Sequence, residues 1–176
     1  MIQVRRVQLA VCVLCLIVPG FARAQQTKQS PPPAAADSLL LSVTGEVERA
    51  LKLSTADFAK LPRRTVRAKE HNGKEATFEG VELVELLRLA GVKFGEQLRG
   101  PSLATFLVVE AADGYQAVFA LPELDPAFTD RVILLADRRD GKPLSESEGK
   151  LRVIIPDEKK HARWVQQVVA LTIRRA

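Results

Sequence analysis

The chain has 176 residues, with 26 lysines and arginines against 21 aspartates and glutamates, and a formal net charge of +5. Three of the cations precede residue 25 and no acidic residue does, so the rest of the chain carries 23 basic against 21 acidic side chains. A charge so close to neutral argues against a nucleic-acid-binding protein. Residues 25–176 are long enough for one domain with a hydrophobic core.

The beginning of the chain has the order of a secretory signal peptide. Arg5 and Arg6 precede an apolar run at residues 7–18, and residues 22–24 form a small-x-small cleavage site. The apolar run is too short to span a bilayer comfortably, and no later stretch is long and apolar enough to do so. We therefore expect a signal peptide at 1–24, cleavage after Ala24, and a periplasmic or secreted protein.

Both cysteines of the chain, Cys12 and Cys15, lie within this apolar run. The residues before them are bulky where a lipoprotein signal has a small one, which disfavours a lipid anchor. After cleavage the chain would have no disulfide, no thiolate metal ligand and no cysteine nucleophile. Because no serine-hydrolase elbow, glycine-rich phosphate loop or pair of histidine ligands is present either, the sequence identifies no catalytic residue and no metal site.

A linker separates the predicted signal peptide from the rest of the chain. Residues 25–38 are rich in proline, alanine and glutamine, and we expect them to be disordered. The folded domain is predicted at 39–176, beginning with two strands. A short helix follows, and Ser54 and Asp57 have the spacing of a capping box at its start.

The later elements are predicted to be hairpins around one clear helix. Residues 81–91 have apolar side chains at helical spacing and end at a glycine, as expected of a helix C-terminus. Turns are predicted at Asn72-Gly73, as type I′, at Asp113-Gly114 and at Asp140-Gly141. Strands dominate and most connections are hairpin-like, which predicts an α+β fold with few helices and a mixed, mostly antiparallel sheet.

One segment near the end of the chain combines basic and aromatic side chains. It contains Lys160, His161, Arg163 and Trp164, the single tryptophan. Ammonium and guanidinium donors beside an aromatic face favour a phosphate-like or sulfate-like anion, whereas the other interpretation is a solvated loop with the tryptophan in the core. If Arg163 makes a buried, charge-assisted bond to the anion, Arg163→Ala should weaken binding by about 1–3 kcal/mol.

Residues 40–174 resemble the molybdopterin-binding domain of the sulfite oxidase family. Five segments carry the resemblance in the family's order, namely VTGEVERALKLSTADFAKLP, FEGVELVELLRLAGV, VVEAADGYQAVFALPEL, VILLADRRDGKPLSESEGKLRVIIP and HARWVQQVVALTI. The resemblance implies a mixed α+β fold holding a molybdenum–pterin cofactor, which catalyses oxygen-atom transfer and whose metal is ligated by a cysteine.

The sequence departs from the family pattern at the metal. Residues 65–80, where the family's cysteine is expected, contain no cysteine and hold a tight turn instead. The residues that bind the phosphate of the pterin cofactor in the family are matched better. Arg163 precedes Trp164 where the family has Lys-Trp, and Arg152 matches an arginine of a closing strand. The resemblance therefore implies ligand-binding roles for Arg152, Lys160, His161 and Arg163, and no molybdenum ligand.

From the sequence we expect an exported binding or accessory module without molybdenum catalysis. We expect no bound cofactor, although molybdopterin is the cofactor that the resemblance allows. Its ligand would be a small anion or a pterin-like molecule. Alternatively, it would bind a periplasmic partner protein. Two alternatives stay open. One is a molybdopterin-dependent oxidoreductase that performs oxygen-atom transfer, and the other is a structural module whose sheet edge docks a partner.

Overall fold

The computed structural model describes residues 38–176. The predicted signal peptide at 1–24 and all but the last residue of the predicted linker at 25–38 lie outside the described residues. The described strands are β1 (Leu39–Gly45), β2 (Leu51–Ser54), β3 (Arg64–Lys69), β4 (Glu75–Glu82), β5 (Thr105–Ala111), β6 (Gln116–Ala120), β7 (Leu134–Arg139), β8 (Lys142–Pro143), β9 (Arg152–Ile154) and β10 (Val168–Arg175). The α-helices among these residues are α1 (Thr55–Ala59) and α2 (Leu83–Leu89), and short 3₁₀ turns connect other elements.

Two sheets organise the described domain. The first has the strand order β2-β1-β10-β5-β6, and the second has the order β3-β4-β7-β8, with β9 pairing β7. The β1–β10 ladder is parallel, with Ser42 opposite Ala170, whereas the other ladders are antiparallel. The predicted α+β fold with a mixed, mostly antiparallel sheet is therefore confirmed.

The core consists of the apolar side chains that the strands, the two helices and some connecting segments direct inward. Its largest fully buried members include Phe58, Phe78 and Phe119. Burial of such side chains supplies the main favourable contribution to folding, about 2 kcal/mol for each one. In β10 the buried Leu171 and Ile173 alternate with the more exposed Thr172 and Arg174, as the pleat of a strand requires, whereas β5 is apolar and buried along most of its length.

The predicted helix at 81–91 forms, but it begins later than expected. Val81 and Glu82 belong to β4, where they lie opposite Leu135 and Leu134 of β7. This pairing overrides helical propensity at the two residues, and α2 begins at Leu83. The predicted capping box at the start of α1 is confirmed. The Ser54 hydroxyl accepts a hydrogen bond from the Asp57 backbone N–H, and the Asp57 carboxylate accepts one from the Ser54 backbone N–H.

The hairpin predicted at Asn72-Gly73 is present, but its turn is not type I′. Among the described non-glycine residues, positive φ angles occur at Asp140 and Gln167 and not at Asn72. Gly73 has φ +81° and donates to Glu70 O at 2.9 Å. The turn therefore resembles a type I turn followed by a left-handed glycine, which is the common three-residue hairpin. Type I′ geometry occurs instead at Asp140-Gly141, where both φ angles are positive.

No helix of residues 38–176 combines the length and the hydropathy that crossing a bilayer requires.

Candidate functional site

A cavity of about 880 Å³ lies between the tip of the β3–β4 hairpin and residues 156–166. The hairpin contributes Lys69 and His71, and the later segment contributes Lys160, His161 and Trp164. The volume is within the range of small-molecule sites in proteins. The tight hairpin, which stands where the family's cysteine loop is expected, thus forms one wall of the site.

The floor of this cavity is aromatic. Trp164 is buried, with 4% exposure, and its indole N–H donates to the carbonyl oxygen of Ile155 at 3.2 Å. The His161 ring is tilted by 52° against the indole, with the ring centroids 4.1 Å apart. His71 comes from the hairpin, and its ring centroid is 6.2 Å from that of His161. The only two histidines of the chain therefore face the same cavity.

Arg152 lies behind this aromatic floor. Its guanidinium carbon is 5.8 Å from the Phe78 ring centroid and 5.4 Å from that of Trp164, as in cation–π contacts. Its Nη1 donates to Glu148 at 2.7 Å and to Glu70 at 3.4 Å. The side chain is 9% exposed, and its Nε has no hydrogen-bond partner among the described residues.

The carboxylate of Glu148 anchors Arg152. Burial acts to raise the pKa of Glu148, but hydrogen bonds from Ser145 and Arg152 and the charge of Arg139 outweigh it, so the pKa is lowered. Arg139 also donates to Glu70 at 3.1 Å, which ties the end of β3 into the same cluster. These ion pairs hold the hairpin against the loop that follows β8, and Arg152 has a clear structural role.

Arg163 lies elsewhere. Its Nε donates to Glu158 at 2.7 Å and its Nη1 to Glu123 at 3.0 Å, and its guanidinium lies over the Phe119 ring. Burial acts to lower the pKa of Arg163, but the bonds to Glu158 and Glu123 outweigh it and raise the pKa. The side chain is not among those that form the cavity wall, and protein carboxylates engage its donors.

The four residues predicted as ligand-binding therefore separate in space. Lys160 and His161 face the cavity, Arg152 contributes to its wall while paired with carboxylates, and Arg163 points away from it. Their ligand-binding roles stay predictions. His71 was not predicted at the site, because nothing in a single sequence indicates that the hairpin tip lies against residues 156–166.

The residues present do not match a molybdenum centre of the kind that the resemblance implies. Residues 38–176 contain no cysteine, and the described residues have no group of three or more His, Cys, Asp or Glu side chains placed to hold a metal. Ammonium and imidazole groups do not replace a soft thiolate. Lys159, Lys160 and the aromatic floor suit the anionic and planar parts of a molybdopterin, so the donors fit the organic part of that cofactor and not its metal.

A mixed α+β domain with a cation-rimmed aromatic cavity belongs to the class of small-ligand or cofactor-binding domains. The family model of the oxidoreductase molybdopterin binding domain matches residues 27–176 of the chain. The chain therefore belongs to the oxidoreductase molybdopterin-binding domain family, as the resemblance predicted.

A solved structure agrees with this fold. The sulfane dehydrogenase SoxCD from Paracoccus pantotrophus has a TM-score of 0.61 and 22% sequence identity, and the match covers 78% of this chain and 38% of that one. The chain thus corresponds to well under half the length of that protein, and the similarity shows the fold alone. No curated protein matches the chain.

Proposed function

We propose that this protein is an exported binding module that holds a pterin-like or similar planar anion in the cavity beside Trp164, without molybdenum catalysis. The observation that carries the proposal is the tilted ring contact of His161 with Trp164 at the floor of a cavity bordered by lysines. The family membership supports the choice of a pterin among planar ligands. The signal-peptide pattern of residues 1–24 supports a periplasmic location.

The aromatic floor accounts for recognition of a flat ring. A planar heterocycle that stacks on His161 gains about 1–3 kcal/mol, as bases do on aromatic side chains. Trp164 cannot turn away, because its indole N–H is bonded to Ile155 O and its ring packs edge-on against Phe78. The floor is therefore preorganised, which lowers the entropic cost of binding.

The rim of the cavity accounts for a preference for anions. Lys69, Lys159 and Lys160 lie at the cavity, and none of the three forms an ion pair within residues 38–176. Glu70 and Glu158 also line it, but both are already bonded to arginines. The rim therefore leaves ammonium charges available to a carboxylate or phosphate group on the ligand.

Calorimetry with biopterin and with inorganic phosphate as separate probes tests the proposal. Quenching of tryptophan fluorescence reports the place of binding, because Trp164 is the only tryptophan. We expect biopterin to bind and to quench the tryptophan fluorescence. His161→Ala should weaken biopterin binding about tenfold through loss of the stacking surface. Lys160→Ala should reduce the affinity for phosphate, whereas Lys52→Ala, at an exposed lysine on β2, is the matched control and should change the affinity for neither probe.

The outcomes separate the possible ligands. Binding of phosphate but not of biopterin would support an anion site and contradict the pterin assignment. Heat of binding without tryptophan quenching, or unchanged affinity in His161→Ala, would place the ligand outside this cavity. Absence of binding by either probe would contradict the proposed function.

Metal analysis distinguishes this proposal from the alternative of a molybdopterin-dependent oxidoreductase. The protein is purified from its own periplasm, and molybdenum is measured by mass spectrometry alongside the fluorescence of oxidised pterin. We expect pterin without stoichiometric molybdenum. Molybdenum near one atom per chain would overturn the proposal and favour an enzyme whose metal is held without a cysteine of residues 38–176.

A further inference from the structure

The open edge of the second sheet is the feature that the proposed ligand site does not explain. Strand β3 ends this sheet and pairs with β4 alone. In an antiparallel ladder, alternate residues direct both backbone groups toward the partner strand. Glu70 donates to Lys74 O at 2.8 Å where the hairpin closes, so the backbone groups of Glu70 face β4. Counting back along β3 in steps of two from the next residue, Thr65, Arg67 and Lys69 direct their N–H and C=O groups away from β4.

The outward backbone groups have no hydrogen-bond partner among the described residues. The contrast is β6, one of the two edge strands of the first sheet, where Arg163 donates to Val118 O at 3.3 Å and the hydroxyl of Tyr115, just before β6, donates to Ala162 O at 2.7 Å. At the opposite end of the second sheet, β8 has only two residues. Short edges, covered edges and charged edge residues all protect against pairing with another chain, and β3 has the charges but is neither short nor covered.

A groove runs beside the β3 edge. A cavity of about 1010 Å³ lies between Val66 of β3 and the loop that carries Phe128 and Val132. Phe128 is 52% exposed, so a large apolar ring stands in this groove without being covered. Pro156 lines both this cavity and the one beside Trp164, so the concave surface continues along the strand. The six residues of β3 extend over about 20 Å, enough to pair one extended segment.

The charges along the edge indicate which segment fits. Arg67 and Lys69 are exposed and form no ion pair within residues 38–176. Val66 and the buried Ala68 lie on the other face of the strand. An added strand would thus place alternate side chains beside the two cations and the others toward the apolar part of the groove, where Val66 and Phe128 lie. The far wall of the groove carries Asp130, and Asp157 there is paired with Arg131 at 2.9 Å.

We propose that the β3 edge docks an extended segment of a partner protein in which acidic and apolar residues alternate, by addition of a strand to the sheet. Backbone hydrogen bonds supply affinity in this binding mode, and the alternate side chains supply specificity. A second copy of this chain suits the edge poorly, because pairing β3 with β3 would bring Arg67 and Lys69 of both copies together, and like charges on adjacent strands are destabilising. This proposal does not depend on the ligand site.

Amide hydrogen exchange of the exported protein tests the proposal. The probe is the acetylated and amidated peptide Glu-Ile-Glu-Val-Glu-Ile-Glu, and the controls are Lys-Ile-Lys-Val-Lys-Ile-Lys and the acidic peptide N-methylated at alternate backbone positions. We expect the acidic peptide, at up to about 1 mM, to slow exchange at Thr65, Arg67 and Lys69. Arg67→Glu should weaken this binding about tenfold, and Lys52→Glu, on the edge strand β2, should leave it unchanged.

A backbone variant separates strand pairing from general charge attraction. Thr65→Pro removes one outward N–H without changing the charge, and proline is tolerated on an edge strand. We expect Thr65→Pro to weaken binding of the acidic peptide while the thermal unfolding temperature stays close to that of the parent protein. No protection at the β3 amides, equal binding of the lysine peptide, or equal binding of the N-methylated peptide would each overturn the proposal. A dimer in which these amides are already protected would assign the edge to a second copy instead and also overturn it.

Discussion

Replacement of Glu148 by glutamine tests the buried cluster that supports the hairpin wall of the site. Glu148 is 6% exposed at its side chain and lies 2.7 Å from Nη1 of Arg152, whose side chain is 9% exposed. The glutamine amide oxygen can still accept from Arg152, but it carries no charge, so the one carboxylate left beside the arginine is Glu70, at 3.4 Å. Breaking one partner of a buried pair typically costs 3–5 kcal/mol, and the remaining contact with Glu70 places the expected loss at about 3 kcal/mol. For a domain of this size, that is about a 10 °C fall in Tm.

The effect should depend on pH in a defined direction. The pKa of Glu148 in the folded protein is lower than its ordinary value of 4.5. A lowered pKa means that the carboxylate stabilises the fold above about pH 4.5 and that this contribution is lost as the pH falls through the folded-state pKa. The difference in unfolding free energy between the parent and Glu148→Gln should be largest near pH 7 and shrink in acid.

Urea unfolding followed by Trp164 fluorescence measures this difference at several pH values. The matched control is Glu46→Gln, which removes a half-exposed partner of Arg175 at 3.0 Å and should cost less than about 1 kcal/mol. A loss in Glu148→Gln no larger than in the control would refute the reasoning. So would a difference that does not decline between pH 7 and pH 3, because the carboxylate charge would then not be its source.

Two further predictions concern local structure. Ser54→Ala removes the hydroxyl that accepts from the Asp57 N–H and should lower the unfolding free energy by about 1 kcal/mol, measured by urea titration; an unchanged midpoint would show that the cap is not needed. Gly80→Ala places a Cβ only 2.1 Å from Leu135 O at the β4–β7 bulge, and should cost about 3 kcal/mol by overpacking. At Gly95 a Cβ meets open space but φ is +66°, so Gly95→Ala should cost only about 1–2 kcal/mol of backbone strain by thermal unfolding, and a loss at Gly80 no larger than this would contradict the crowding argument.

Much of the local structure could be predicted because its causes are local. The capping box at Ser54 and the glycine at position 91 each follow from the conformational preferences and hydrogen-bonding groups of neighbouring residues. The order of five family-like segments led to the fold, which the family match over residues 27–176 confirms. The beginning of α2 was predicted two residues too early because β7 holds Val81 and Glu82 in a strand.

The candidate site could be predicted only in part. Lys160 and His161 were identified by residue type, and both face the cavity. Arg163 was grouped with them because it lies in the same basic segment and precedes Trp164 where the family has Lys-Trp, but it points toward Glu123 and Glu158. Sequence proximity does not determine side-chain direction here, because a 3₁₀ turn at His161–Arg163 separates adjacent residues onto different faces.

The sequence alone determined the family, the strand-dominated fold class, the near-neutral charge of residues 25–176 and the lack of a thiol after residue 24. Only the tertiary structure decided that His71 faces His161, that Arg152 is held by Glu148 and Glu70, and that the β3 edge is open. The physical reason is the range of the interactions. Caps, turns and alternation act over a few residues, whereas these contacts depend on how strands far apart in the chain pair and pack.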